Sequence, residues 1–179
     1  MERRVRRMNL KKLVTAAVCT MLMATVAFTA GCGGEKKSDK KVLKVGMECA
    51  YAPYNWSQTK ADGGAVKIAG SNEYAYGYDV MMAKKLADSM GADLEIHKIE
   101  WDGLAPAVVS GKIDAAIAGM SITSKRKETV DFTKPYYYAT VVALVKKDSE
   151  QAKAQSVADL KGSVATSQLN TIWYDQIDQ

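Results

Sequence analysis

The chain has 179 residues, with 25 Lys plus Arg against 20 Asp plus Glu and a formal net charge of +5. Residues 1–31 hold six of those bases and one acid, so from Cys32 onward the charges balance at 19 and 19. The excess therefore belongs to the N-terminal segment and leaves no basic stripe to track nucleic-acid phosphates; 47% apolar content excludes wholesale disorder, and three Cys with one His argue against a structural zinc site.

The basic start is followed by 18 uncharged residues, 13–30, rich in Ala, Val, Met and Thr. A charged lead, an apolar stretch and small residues read as a secretory signal over 1–31. Eighteen residues is also the lower limit for a permanent membrane span. Thr29, Ala30, Gly31 and Cys32 resemble a bacterial lipobox, which favours cleavage before Cys32 and acylation of that Cys over an uncut anchor or a structural thiol. Residues 32–41 carry no apolar side chain after Cys32 and read as a flexible tether. Cleavage leaves Cys49 as the one unlipidated cysteine, so no intramolecular disulfide is expected.

The folded part is expected over 42–148. Val42–Met47 alternates as a strand, and 57–73, polar and Gly-rich, reads as a loop or hairpin. Tyr78–Met90 has helical periodicity, with Val80, Ala83, Leu86, Ala87 and Met90 on one side and Gly91 as its stop. Residues 94–99 alternate as a second strand, with His97 on the polar phase. Asp102 can cap a helix running to Ser110, with Pro106 early and Gly111 at its end. Residues 113–118 and 140–145 are short apolar runs suited to strands covered on both faces. Alternating strands and helices of these lengths predict an α/β fold with a mainly parallel sheet and flanking helices. Ligands bind such sheets beyond the carboxyl ends of the strands.

Three segments follow those ends. The first holds Glu48, Tyr51, Pro53, Tyr54 and Trp56, and the second holds Trp101. In the third, running from Gly119 to Lys127, Thr123 is a candidate N-cap that places Lys125, Arg126 and Lys127 in the first helical turn. Cations are disfavoured there by a few tenths to about 1 kcal/mol each. Helical N–H groups, the hydroxyls of Ser121 and Thr123 and the Arg126 fork make an anion site; a solvated basic turn is the plainer reading. The aromatics Tyr51, Tyr54, Trp56 and Trp101 either wall a pocket or pack at its rim. Tyr136–Tyr138 after Pro135 read as structural, Glu48 faces either a ligand donor or solvent, and Cys49 has no nucleophile's partners nearby. There is no Gly-rich phosphate loop or metal-ligand spacing, so no cofactor or metal is expected.

The order of these pieces carries a resemblance. Val45-Gly46-Met47-Glu48, Tyr51-Ala52-Pro53-Tyr54, Gly77-Tyr78-Asp79-Val80, Trp101-Asp102-Gly103-Leu104-Ala105-Pro106-Ala107, Gly111-Lys112-Ile113-Asp114, Gly119-Met120-Ser121-Ile122-Thr123, Arg126 and Val130-Asp131-Phe132-Thr133 with Pro135-Tyr136-Tyr137 resemble the bacterial extracellular solute-binding proteins of family 3, the amino-acid receptors of import ABC transporters. The resemblance implies a periplasmic-binding-protein-like type II fold with lobe 1 largely present over 42–148. Residues 149–179 would be the hinge and the truncated start of lobe 2, with a strand near 164–166 and a helix from Thr171. It implies Arg126 as clamp for an α-carboxylate, assisted by Ser121 through its backbone and hydroxyl. Gly119 would take the α-ammonium through its carbonyl, Trp101 and Tyr51 would sandwich the ligand, Glu48 would read its side chain, and Thr171 would donate to the carboxylate from lobe 2.

The function so implied is the extracytoplasmic binding component of an ABC importer, lipid-anchored at the outer face of the cytoplasmic membrane through Cys32. Its ligand would be a polar amino acid, basic or glutamine-like. Its partners would be that amino acid and an ABC permease, with no nucleic acid and a monomeric state. The alternatives are a dehydratase-like enzyme on the same fold, which needs a general acid with no candidate beyond Glu48, and a ligand-binding input domain of a longer protein. With lobe 2 only begun, the 179-residue chain alone is expected to bind its ligand weakly.

Overall fold

The computed structural model describes residues 40–177, and Lys40 onward forms one compact unit. The expected signal segment, Cys32 and the tether up to Asp39 lie outside the described residues. The strands are β1 (Val42–Met47), β2 (Ala50–Tyr51), β3 (Asn55–Gln58), β4 (Val66–Lys67), β5 (Tyr74–Tyr76), β6 (Asp93–Lys98) and β7 (Ala115–Ala116). The helices are α1 (Tyr78–Met90), α2 (Leu104–Val109), α3 (Ser124–Lys127) and α4 (Ile172–Asp175).

β1 is central, and one face of it is wholly apolar and buried: Val45 and Met47 are fully buried and Leu43 nearly so, while Gly46 is buried on the opposite face. It pairs in parallel with β6 on one side, Val42 against Asp93 through Met47 against Lys98, and with β7 on the other, Val45 against Ala115. Gly46 lies where α2 meets the sheet. A Cβ there would sit 2.5 Å from Ile113 Cδ1 and 3.1 Å from Leu104 Cδ2, so any side chain at 46 would force Ile113 to shift. β2, β3, β5 and β4 form a small antiparallel sheet, which carries the hairpin expected over 57–73.

α1 lies where its periodicity predicts. Val80, Ala83 and Ala87 are buried, whereas Leu86 and Met90 are exposed. The buried stripe is narrower than expected because its alanines bring the helix close to its neighbours and leave the longer side chains at the margin. Gly91, left-handed at φ 62°, caps its end, and its N–H donates to the Asp88 carbonyl at 3.1 Å. At the start, Gly77 has φ 127° and ψ −176°, a backbone region that only glycine occupies freely; a Cβ there would collide with the Tyr54 carbonyl.

Several expectations need correction. Asp102 is not a helix cap: it lies within a 3-10 turn, Trp101–Gly103, and Gly103 occupies the cap position of α2 without a side-chain bond. The run 113–118 forms a strand over Ala115–Ala116 alone, although Ile113 and Ala118 are buried. Residues 140–145 and 164–166 form no strand, with Leu144 and Val164 fully exposed. A strand exists only against a partner, and no described strand pairs with either run. His97 is half-buried rather than exposed, with Nε2 2.7 Å from Glu95 Oε1 on the same face of β6.

Candidate functional site

The carboxyl ends of β1, β6 and β7 deliver their following segments to one end of the parallel sheet. There Glu48, Tyr51, Trp101, Ala118 and Gly119 line a small pocket together with Gln168 and Trp173 from the end of the chain. The Tyr51 ring stacks on Tyr54, centroids 4.9 Å apart, and lies against Gly119, where a Cβ would approach Tyr51 Cε1 to 3.4 Å. Tyr51 also meets Trp173, with ring centroids 6.2 Å apart. Glu48 Oε1 accepts from Gln168 Nε2 at 2.9 Å.

Arg126 is held at this end by its own short helix. Thr123 caps α3, its Oγ1 accepting the Arg126 N–H at 3.2 Å. α3 is a single turn and this cap uses one of its free amides, so the helical contribution to an anion site is small and the guanidinium carries the charge. Nη1 donates to the Ser121 carbonyl at 2.7 Å and Nη2 to the Asn170 carbonyl at 3.1 Å, while Cζ lies 5.3 Å from the centroid of Trp101. Ser121 thus reaches Arg126 through its carbonyl, not its hydroxyl. Burial pulls the Arg126 pKa down, and the Asp175 carboxylate opposes that shift.

Thr171 is buried and caps α4, accepting the Tyr174 N–H at 3.2 Å. Its hydroxyl proton goes to the Gln168 carbonyl at 2.7 Å, within its own turn. Asn170, just before it, has φ 59°. Its side chain donates to Asp102 Oδ1 at 2.9 Å, and its carbonyl takes both Arg126 Nη2 and Trp101 Nε1, each at 3.1 Å.

Of the residues expected from the sequence, Glu48, Tyr51, Trp101 and Gly119 meet in the pocket, and Arg126 with Ser121 stands beside Trp101. Sequence reasoning missed Gln168, Asn170 and Trp173. An Asn in a left-handed turn directly before a Thr cap is a signal that could have flagged Asn170; Gln168 and Trp173 carry no comparable local signal. Cys49 stays outside the chemistry: it is buried, and burial pushes its thiol up to about 11.

The family profile for bacterial extracellular solute-binding proteins, family 3, matches residues 43–179. The arginine-binding extracellular protein ArtP of Bacillus subtilis is 32% identical over 89% of this chain and 56% of its own length. The octopine-binding periplasmic protein of Rhizobium meliloti is 30% identical over 92% of this chain and 46% of its own. ABC transporter arginine-binding protein 1 of Escherichia coli is 32% identical over 86% of this chain and 52% of its own. The chain therefore spans about half the length of these relatives. Among solved structures, the P235GK mutant of ArgBP from T. maritima superposes with a TM-score of 0.62 at 31% identity, over 76% of this chain and 54% of that one. The parallel sheet with its flanking helices accordingly represents part of a type II periplasmic-binding fold, and the chain belongs to the bacterial extracellular solute-binding proteins of family 3.

Proposed function

We propose that the protein is the extracytoplasmic substrate-binding component of an ABC importer and captures a polar α-amino acid by its carboxylate on Arg126. The observation that carries this reading is the Arg126 guanidinium at the sheet's ligand-binding end, over Trp101 and beside a pocket walled by Tyr51 and Glu48. A planar fork matches a carboxylate in two parallel bonds. Nη2 donates to the neutral Asn170 carbonyl, and a charged carboxylate is the stronger acceptor for it. In this reading Ser121 holds the fork, Gly119 receives the α-ammonium through its carbonyl, and Tyr51 and Trp101 enclose the ligand. Glu48 reads a donor on its side chain, whether cation or amide, and Thr171 supports the carboxylate from the second lobe. The relatives' names, arginine and octopine binding, agree with a ligand bearing an amino-acid backbone and a polar side chain.

Delivery to a permease, a monomeric receptor and a membrane tether through acylated Cys32 complete the proposal. In domain terms, residues 42–148 are lobe 1 and 149–179 lead through the hinge into lobe 2. Calorimetry on the complete gene product with a panel of L-amino acids tests the site. Wild type should bind at least one basic or amide amino acid, and Arg126→Ala should lose about tenfold or more in affinity, the contribution of a charge-assisted bond. Unchanged affinity in a folded Arg126→Ala would refute the carboxylate anchor.

A further inference from the structure

The best-built polar network in the described chain runs to the pocket, and its five members come from separate segments. Asp79, in the first turn of α1, is fully buried, as is Asn55 of β3. Asn55 Nδ2 donates to Asp79 Oδ2 at 2.7 Å, and Asn55 Oδ1 accepts the Cys49 N–H at 2.8 Å. The other Asp79 oxygen, Oδ1, accepts the Tyr136 hydroxyl at 2.8 Å. That hydroxyl in turn accepts the Gly119 N–H at 3.1 Å. The directions are forced: the Gly119 amide can only donate, so the Tyr136 oxygen accepts there and its own proton goes to the carboxylate. Both Asp79 oxygens are thereby used as acceptors.

Tyr136 itself is secured twice more. Its ring stacks on Tyr78 with centroids 6.1 Å apart, and its carbonyl accepts the Tyr78 hydroxyl at 3.2 Å. No helix or strand fixes residue 136, so these contacts decide where its hydroxyl lies. At the far end Gly119 lines the pocket at φ 64°, against Tyr51. Its carbonyl has no hydrogen-bond partner among the described residues. A left-handed glycine is free to rotate, and fixing its N–H restricts the direction of the carbonyl that follows.

We propose that Tyr136 is a positioning residue of the binding site: oriented by Asp79, its hydroxyl holds the Gly119 backbone so that the unpaired carbonyl is presented to the ligand's α-ammonium. This rests on the proposed amino-acid reading and adds a residue to it. A purely structural tyrosine would support all ligands equally. A positioning tyrosine would matter only for ligands that use the Gly119 carbonyl.

The test compares L-arginine with 5-guanidinopentanoate, and L-glutamine with 5-amino-5-oxopentanoate, by calorimetry on the complete gene product. Each acid keeps the side chain and carboxylate and lacks the α-ammonium. Tyr136→Phe should weaken the better-binding amino acid about fivefold or more, the worth of one net hydrogen bond, and leave its desamino partner within about twofold. Tyr138→Phe, at an exposed tyrosine outside this network, should show no such split. Equal losses for both ligands in Tyr136→Phe would overturn the positioning role while leaving the amino-acid reading intact. Wild type binding neither amino acid would overturn that reading and this inference with it. Should Tyr136→Phe not fold, hydrogen exchange of the Gly119 amide in glycine-labelled wild type decides the matter: protection with and without ligand supports the hold, and free exchange overturns it.

Discussion

Arg126 stands over Trp101 with its Cζ 5.3 Å from the ring centroid, while the Trp101 Nε1–H and Arg126 Nη2 share one acceptor, the Asn170 carbonyl. The ring therefore does two things for the cation. It offers a π face to the cation, and through the Nε1–H it ties the loop before α4 to the same spot.

Removing that face should cost affinity without removing the charge. Trp101→Leu is expected to bind an amino acid about threefold to thirtyfold more weakly, the range of a cation–π contact from exposed to desolvated settings. Trp101→Phe should recover part of the loss. Titration calorimetry on the complete product reads both, and equal affinity in wild type and Trp101→Leu would contradict the contact's role.

Gly77→Ala should be among the most damaging single-methyl changes in the chain. The backbone there is in a glycine-only region, and the added Cβ would meet the Tyr54 carbonyl. The strain is about 1–3 kcal/mol before the collision is counted. A melting curve within a degree of wild type would refute this account.

Asp79 sets a pH dependence of known sign. Burial raises its pKa, and hydrogen bonds from Asn55 and Tyr136 oppose the shift. A carboxyl whose folded pKa exceeds its unfolded value, 3.8, takes up a proton on folding. Its contribution to stability is therefore greatest below that unfolded value and declines as pH rises through the folded one. Asp79→Asn removes this titration and puts a donor against Asn55 Nδ2. It should melt lower at pH 7, by about 1–3 kcal/mol of stability, and the gap to wild type should widen as the pH is lowered to 4. Parallel melting profiles from pH 7 to pH 4 would show that Asp79 does not titrate differently in the fold.

Cys49 should be inert while the fold is intact. It is buried, and its thiol is pushed up to about 11, so almost no thiolate exists near neutrality. In residues 33–179, which contain no other cysteine, iodoacetamide at pH 7.5 should label only after denaturant is added. Rapid labelling of the native form would mean that the β1 end opens readily.

Cys32 should be the mature N-terminus and carry lipid, because the apolar stretch ends in Thr-Ala-Gly-Cys. Mass spectrometry of the membrane fraction should find residues 1–31 lost and acyl mass added. A form retaining Met1 would contradict the lipobox reading.

The elements that could be read in advance were those whose pattern answers to a local cause. Val42–Met47 and α1 show their periodicity, Gly91 its cap and Thr123 its hydroxyl, and each lies where expected. Residues 140–145 look like a buried strand by composition, but a strand also needs a neighbour, which no local pattern contains. The site was legible in part for the same reason. Glu48, Tyr51, Trp101, Gly119 and Arg126 follow strands or a cap and could be placed by topology. Gln168, Asn170 and Tyr136 reach the site through contacts spanning 120, 44 and 17 positions, a separation that periodicity cannot register.

The position of β1 has a consequence for how the chain comes into being. The first strand made is the middle of the sheet, and its neighbours begin 51 residues later at Asp93 and, on the other edge, at Ala115. During synthesis β1 has nothing to pair with until much of the lobe has emerged, and pairings over such separations form slowly. A nascent chain that stays open for this long remains threadable, which suits the extracytoplasmic location proposed for it.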